Sequence, residues 1–357
     1  MYVACVTHIT QNLDGYNPEE FLRKSSVIQM FTFPYDVLPG EPPMKSPIFF
    51  LLHVFGAIAA CTFFLWCGGT IAAAAAESGL DTAKIEYITG LKGALNEKEN
   101  TFKVSKPKDD VAITVEQSRM APFMRLTSWA AFAPGMKGET MVMGDMVLFE
   151  DEVNPVMSVA LDKGLEVTAL HNHFFFDEPK VYFMHIGGEG SLDKLAQGVR
   201  AIFDKEKEIR AGSASPAKSF GLGQLPEKSS IDGEAISQVF GQKGDAKDGM
   251  YKVTIGREVE MDGYKVGNSM GVNTWAAFAG TPDDALVVGD FAVLENELQT
   301  VLKTLRAANI NIVAIHQHMT GENPRMIFLH YYGRGKALAL AQGVKSAINT
   351  QTLASNK

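Results

Sequence analysis

Six histidines fall in two matching sets. His171-Asn172-His173 is followed by His185, and His316-Gln317-His318 by His330, so H-x-H with a third histidine after eleven residues occurs twice. The other two, His8 and His53, lie near the N-terminus. Carboxylates repeat with the imidazoles: Asp177 matches Glu322, Glu150 matches Glu295, and Asp145 matches Asp290. On a strand, residues two apart point to one face at a separation of about 7 Å, so each H-x-H projects both rings together. A third histidine on the paired strand completes a three-nitrogen set, with Asp177 or Glu322 reaching back from the connecting turn. Three imidazoles with an oxygen donor suit a divalent transition metal, Zn²⁺ first, with Mn²⁺, Fe²⁺ or Cu²⁺ as alternatives. A hydrolytic version, acting on an envelope ester or glycan, needs an open coordination position and a base, for which Glu150, Asp177 and their counterparts Glu295 and Glu322 are the candidates. A non-catalytic ligand-binding module needs instead a closed site or an apolar pocket and no such base. One register condition applies. His185 shares the face of His171 only when it stands opposite an odd-numbered neighbour such as Ala169, because a one-residue slip sends it to the other face.

Two other readings of the same residues stay open. Histidines from two lobes facing across a cleft can serve as general base and general acid on a phosphoester or glycan without metal, with Asp177 or Glu322 orienting an imidazole. Alternatively, half-buried strand histidines are hydrogen-bonded structural residues. Trp129 and Trp275 read as core rather than sugar platforms. Lys180 and Arg325 read as solvated turn cations, though they are placed to clamp an anion. No Walker motif, dinucleotide fingerprint, G-x-S-x-G or H-E-x-x-H occurs, which argues against those chemistries.

The elements that must carry these residues are duplicated. Thr127-Ser128-Trp129-Ala130-Ala131-Phe132-Ala133 returns as Asn273-Thr274-Trp275-Ala276-Ala277-Phe278-Ala279, and Leu195-Ala196-Gln197-Gly198-Val199 as Leu340-Ala341-Gln342-Gly343-Val344. From Gly144 onward the offset is 145 without a gap (289 − 144). The repeats cover 78–205 and 229–350, separated by a linker over 206–228 that is rich in Ser, Gly, Pro and Lys. In each, a short helix (80–91; 231–240) precedes strands (101–104 and 111–115; 250–255), a strand around the tryptophan and another over 141–149 or 285–294. A helix (155–163; 298–308) follows, with Glu152 or Glu297 near its N-terminal end, where a carboxylate is favoured. Two strands meeting at a turn on Pro179 or Pro324, then a closing helix, complete the repeat. The fold class is therefore α+β: two tandem duplicated domains, each a mainly antiparallel sheet with helices on one face.

The 357 residues are 46% hydrophobic and 21% charged with a net charge of −8. That excludes a largely disordered or multi-span membrane chain and leaves no basic footprint for nucleic acid. Residues 48–76 carry no charge, Met44-Lys45 precede them and Glu77 ends them. This is the layout of a signal peptide over 44–76 cleaved among 72–76, with a lipid-anchored Cys61 or an uncleaved membrane anchor as alternatives. Residues 1–43 read as a non-native or disordered extension. Cys5, Cys61 and Cys67 all lie before Glu77, so the body has neither disulfides nor thiolate ligands. The expected location is periplasmic or otherwise extracytoplasmic, with membrane contact only through the leader or a lipid anchor. The expected partner is a small-molecule or cell-envelope ligand.

Ala169-Leu170-His171-Asn172-His173, Pro179, Phe183-Met184-His185, Gly188 and the run from Leu195, with their second set over 314–344, resemble a bacterial domain-of-unknown-function family typified by the LppY and LpqO lipoproteins. The resemblance covers most of residues 80–350 and implies export and a tandem arrangement. It implies no particular reaction.

Overall fold

The computed structural model describes residues 79–351; the extension, leader and cleavage region read from the first 76 residues lie outside them. The first repeat runs α1 (Thr82–Thr89), β1 (Gly93–Asn96), β2 (Thr101–Pro107), β3 (Thr127–Pro134), β4 (Thr140–Phe149), α2 (Glu150–Asp162), β5 (Glu166–His171), β6 (Val181–Gly190) and α3 (Leu192–Gly212). The second runs α4 (Gly233–Phe240), β7 (Asp245–Lys247), β8 (Met250–Gly256), β9 (Asn273–Gly280), β10 (Ala285–Leu294), α5 (Leu298–Ala307), β11 (Asn311–His316), β12 (Met326–Gly335) and α6 (Ala337–Asn349). The fold is α+β with a mainly antiparallel sheet in each repeat. The short leading helices start and stop for the same reasons in both. Asp81 and Asp232 accept the N–H of Lys84 and Ala235, and Gly90 and Gly241 end the helices in the left-handed conformation.

The repeats do not stand apart as two sheets. They share one twelve-stranded antiparallel sheet, ordered β1-β2-β3-β4-β6-β5-β11-β12-β10-β9-β8-β7. At the centre, Leu170 of β5 pairs with Ile315 of β11. These residues are equivalent in the two repeats, so the junction is self-complementary, as across a two-fold axis. It is a narrow contact, and each edge strand bulges beside it, between Val167 and Ala169 and between Ile312 and Ala314. Side chains from the opposite repeat satisfy the backbone exposed there. Gln299 accepts the Val167 N–H at 2.8 Å and donates to its carbonyl at 3.0 Å. Asn154 does the same for Ile312 at 2.8 and 3.1 Å. A buried backbone group without such a partner would cost about 1–3 kcal/mol, so these two amides knit the repeats together.

Alternation along the strands sorts two faces. Met184 and Ile186 of β6 belong to the large core under the helices, while Val181 and Phe183 belong to a small separate cluster with Ile113, Leu126, Val147 and Phe149. The second repeat matches it with Val259, Val266, Val272, Ala292, Met326 and Phe328. Short ribbons cover these small clusters: Thr114–Val115 with Ser118–Arg119 and Asp177–Glu178 in one repeat, Val259–Met261 with Tyr264–Val266 in the other. The strand expected over 111–115 is thus only Thr114–Val115. At the head of each mid-repeat helix, Glu152 and Glu297 turn back to accept the N–H of Phe149 and Leu294 at 2.9 Å, filling an orphan-donor position. Each is neutralised by a cation, Lys108 for Glu152 and Arg257 for Glu297, both at 2.6 Å.

Candidate metal centre

Register places the third histidine of each set. Across three adjacent strands Asp145 pairs with His185, and His185 with Ala169. In the second repeat Asp290 pairs with His330, and His330 with Ala314. The register condition for one shared face is therefore met in both repeats. That face is the one away from the helices, since His185 has the parity of Phe183. The alanine on the edge strand leaves room for the imidazole beside it.

The H-x-H motifs behave differently from two strand positions. β5 and β11 end at His171 and His316, and His173 and His318 lie in the following loop. The chain leaves the strand and brings the rings together, with centroids 5.1 Å apart in both repeats rather than the ~7 Å of a straight strand. The second ring of each motif lies flat on a phenylalanine of the small cluster, His173 on Phe183 at 3.4 Å and His318 on Phe328 at 3.5 Å. His330 comes within 4.5 Å of His316 between centroids, and His185 within 5.1 Å of His171.

The carboxylate completing each cluster is Asp145 or Asp290. In the second repeat His318 Nε2 stands 3.3 Å from Asp290 Oδ2, and His330 Nδ1 3.8 Å from Oδ1. Among the described residues, Asp290, His316 and His318 form a set of possible ligands whose donor atoms all lie within 4.8 Å of one another. Asp290 is 5% exposed. Its Oδ1 and the Nε2 of His316 are buried without a hydrogen-bond partner. The tautomer follows from a further contact: His318 Nδ1 lies 3.2 Å from the carbonyl of Gly271, which only accepts, so Nδ1 carries the proton. In neutral His318 the Nε2 lone pair therefore faces the lone pairs of Asp290. Two acceptors at 3.3 Å require a cation between or beside them, either a proton on Nε2 or a metal ion. Burial, and then neighbouring His330, hold His316 below the ordinary imidazole value against the opposing pull of Asp290. This favours the neutral ring that ligates a metal.

The first repeat has the same parts in a looser setting. His171 and His173 place their Nε2 atoms 3.2 Å apart, and His185 Nε2 lies 3.9 Å from Asp145 Oδ1. Burial is the first cause of the lowered values of both His171 and His173, followed by His185 for the former and His171 for the latter. Arg125 adds to the lowering at His173. Four residues before its tryptophan, Arg125 holds the place of Gly271 four before Trp275, and both are left-handed, at φ 73° and 84°. A cation in place of a glycine sets the two clusters apart electrostatically.

The other candidate residues have different surroundings. Asp177 Oδ2 accepts the Val181 N–H at 2.7 Å, and Glu322 Oε1 accepts that of Met326 at 3.0 Å. They brace turns whose Glu178-Pro179 and Asn323-Pro324 bonds are cis, and Lys180 adds an ion pair to Asp177 at 3.5 Å. The structure brings the six histidines together with Asp145 and Asp290 rather than with these turn carboxylates. Glu295 lines a cavity with His316 and Arg325, whereas Glu150 lines one with Tyr182 and Tyr332. Trp129 and Trp275 are half-buried on the histidine face, outside the apolar clusters, with Lys103 and Lys252 over their rings at 4.2 and 4.4 Å. They are not core residues. Asp145 and Asp290 were visible in the sequence as matched acids, but only strand pairing shows that they face the histidines.

Fold and site define a duplicated α+β protein with one histidine–aspartate cluster per repeat. The chain belongs to the family described as Domain of Unknown Function (DUF1259), whose model matches residues 83–205 and 234–350. No curated protein and no solved structure matches it.

Proposed function

We propose that the protein binds a divalent transition metal, Zn²⁺ first, through Asp290, His316 and His318 with His330 beside them, and that Asp145, His171, His173 and His185 form a weaker second site. The observation that carries this reading is the facing pair of acceptors, His318 Nε2 and Asp290 Oδ2, with Gly271 fixing the tautomer. The uncharged leader supports an exported protein acting in the cell envelope, similar to the LppY and LpqO lipoproteins. A bound Zn²⁺ would supply a Lewis acid beside the cavity that Glu295 shares with His316. Glu295 is then the base to test for hydrolysis of an envelope ester or glycan. The deciding measurement is metal content by mass spectrometry on the untagged full chain. About one ion per chain, lost in His316→Ala and retained in His171→Ala, is expected. No metal after reloading with Zn²⁺, Cu²⁺ or Mn²⁺ overturns the reading and returns the histidines to metal-free acid–base chemistry.

A further inference from the structure

Trp129 and Trp275 have no part in the metal clusters, yet their surroundings are the same in both repeats. Helices cover one face of β3 and β9 through Ala130, Phe132, Ala276 and Phe278. The other face carries Trp129, Ala131 and Ala133 in the first repeat and Trp275, Ala277 and Ala279 in the second, all half-buried. Alanine is disfavoured in strands, where β-branched residues pack better. Both copies nevertheless keep an indole beside two alanines, which leaves a flat floor next to the ring. Elsewhere on this face the copies have drifted: Met141 and Met143 of β4 are Leu286 and Val288 in β10.

Strand pairing puts opposite charges on the two flanks of each ring. Trp129 stands between Ser105 of β2 and Asp145 of β4, and Trp275 between Thr254 of β8 and Asp290 of β10. Two residues before each hydroxyl, exposed Lys103 and Lys252 reach over the indoles, 4.2 and 4.4 Å from the ring centres. Beyond the aspartates on the same face come His185 and His330. The aspartates are sunken, at 8% and 5% exposure, whereas the side chains of His185 and His330 are 37% and 48% exposed. Neighbouring strands lie ~4.8 Å apart. One six-membered ring laid on the indole therefore has a lysine at one edge and the cluster at the other. An exposed cation–π contact is weak and the lysine stem is flexible, so the ammonium can swing from the indole to an acid group on that ring.

We propose that each Lys–Trp–Asp row is a sugar subsite beside the histidine cluster and takes a pyranose bearing a carboxylate, the unit of an acidic glycan. The apolar face of the sugar stacks on the indole and the alanine floor, and its carboxylate pairs with Lys103 or Lys252. Its hydroxyl edge faces His185 or His330 across the sunken aspartate. That aspartate repels the acid group, so the ring lies one way round and the next sugar falls over the histidines. The platform reads a single ring and its charge rather than a linkage. The inference rests on the proposed metal reading only for what the clusters do to such a ligand; the platform itself needs no metal and is tested without it.

The test titrates the full chain in chelator by calorimetry with a galacturonate hexasaccharide and with its methyl ester, which keeps the rings and removes the charge. Saturable binding of the acid is expected, with the ester weaker by about fivefold, the size of an exposed charge pair. Lys103→Gln/Lys252→Gln should bind acid and ester equally. Trp129→Ala/Trp275→Ala should weaken both ligands by about tenfold. Trp129→Leu/Trp275→Leu keeps apolar bulk without an aromatic face and gives the same reading if the alanine variant melts early. No saturable binding of the acid to the wild-type chain overturns the proposal. So does equal binding of acid and ester, or an affinity unmoved in both the lysine and the tryptophan variants. Tryptophan variants that lose self-association rather than sugar binding assign this face to a second copy of the chain and overturn it as well.

Discussion

Asp290→Asn separates a ligand from a structural carboxylate, because the metal reading predicts opposite signs with and without metal. In chelator, the buried Asp290 carboxylate has Oδ1 without a hydrogen bond and Oδ2 facing His318 Nε2 at 3.3 Å. An asparagine keeps the shape, loses the charge and can donate its amide to that nitrogen. The metal-free variant should therefore gain about 1 kcal/mol, the worth of one ordinary hydrogen bond. With metal the balance reverses. Zn²⁺ at ~100 times the wild-type Kd stabilises the wild-type chain by ~2.7 kcal/mol. Even perturbing a residue behind a ligand weakens metal binding about 10–100-fold. A hundredfold loss at the same zinc concentration leaves only ~0.4 kcal/mol of stabilisation. The zinc-induced rise in Tm should then shrink by roughly 5–9 °C, at ~2–4 °C per kcal/mol for a chain of this size class. Thermal melts in chelator and in zinc, with a calorimetric titration for the affinities, read both signs. An asparagine variant that melts earlier in chelator and keeps the wild-type zinc shift would refute the reasoning and make Asp290 a structural acid.

Three further outcomes follow from the same geometry. Arg125→Gly removes the cation beside His173 and suits the left-handed backbone there, so the first repeat should gain zinc affinity with no loss of stability; unchanged stoichiometry in a zinc titration would show that Arg125 is not what separates the two sites. Lys108→Met leaves Glu152 and Glu206, 0% and 2% exposed, without their shared ammonium. Because Arg210 still reaches Glu152 at 3.0 Å, the loss should fall near the low end for a broken buried pair, ~3 kcal/mol, read as a lowered urea midpoint. His171, His173 and His316 are held below their ordinary values, so below pH ~6.5 these three imidazoles bind more protons in the unfolded chain than in the folded one, and their contribution to stability is lost as pH falls. The metal-free variant His171→Gln/His173→Gln/His316→Gln should lose part of that slope below pH ~6.5 and match the wild-type slope above it; equal slopes throughout would show that these imidazoles do not contribute.

Much of the site was legible before the fold. The repeated H-x-H with a third histidine and the matched acids are properties of residue order, and so is the duplication. The alternation that puts His185 on the face of Phe183 rather than Met184 could be stated from the sequence as a condition on register. The choice among carboxylates was not legible. Asp177 and Glu322 are close to the histidines in sequence, yet their oxygens serve backbone amides at the turns. Asp145 and Asp290 come from a strand some 26 residues upstream of the motif and arrive by cross-strand pairing. Trp129 and Trp275, in apolar runs, have core-like sequence surroundings but face outward under lysines.

The sequence by itself determined two copies, an antiparallel α+β repeat, and, within each copy, three histidines confined to one strand, its following turn and the next strand. Those follow from local periodicity and from identity at a fixed offset, which need no long-range contact. Tertiary structure alone decided that the repeats merge through Leu170 and Ile315 into one sheet and that His173 and His318 leave their strands to lie on phenylalanines. Each of these depends on which distant backbone donors and acceptors find one another, and residue order does not state that.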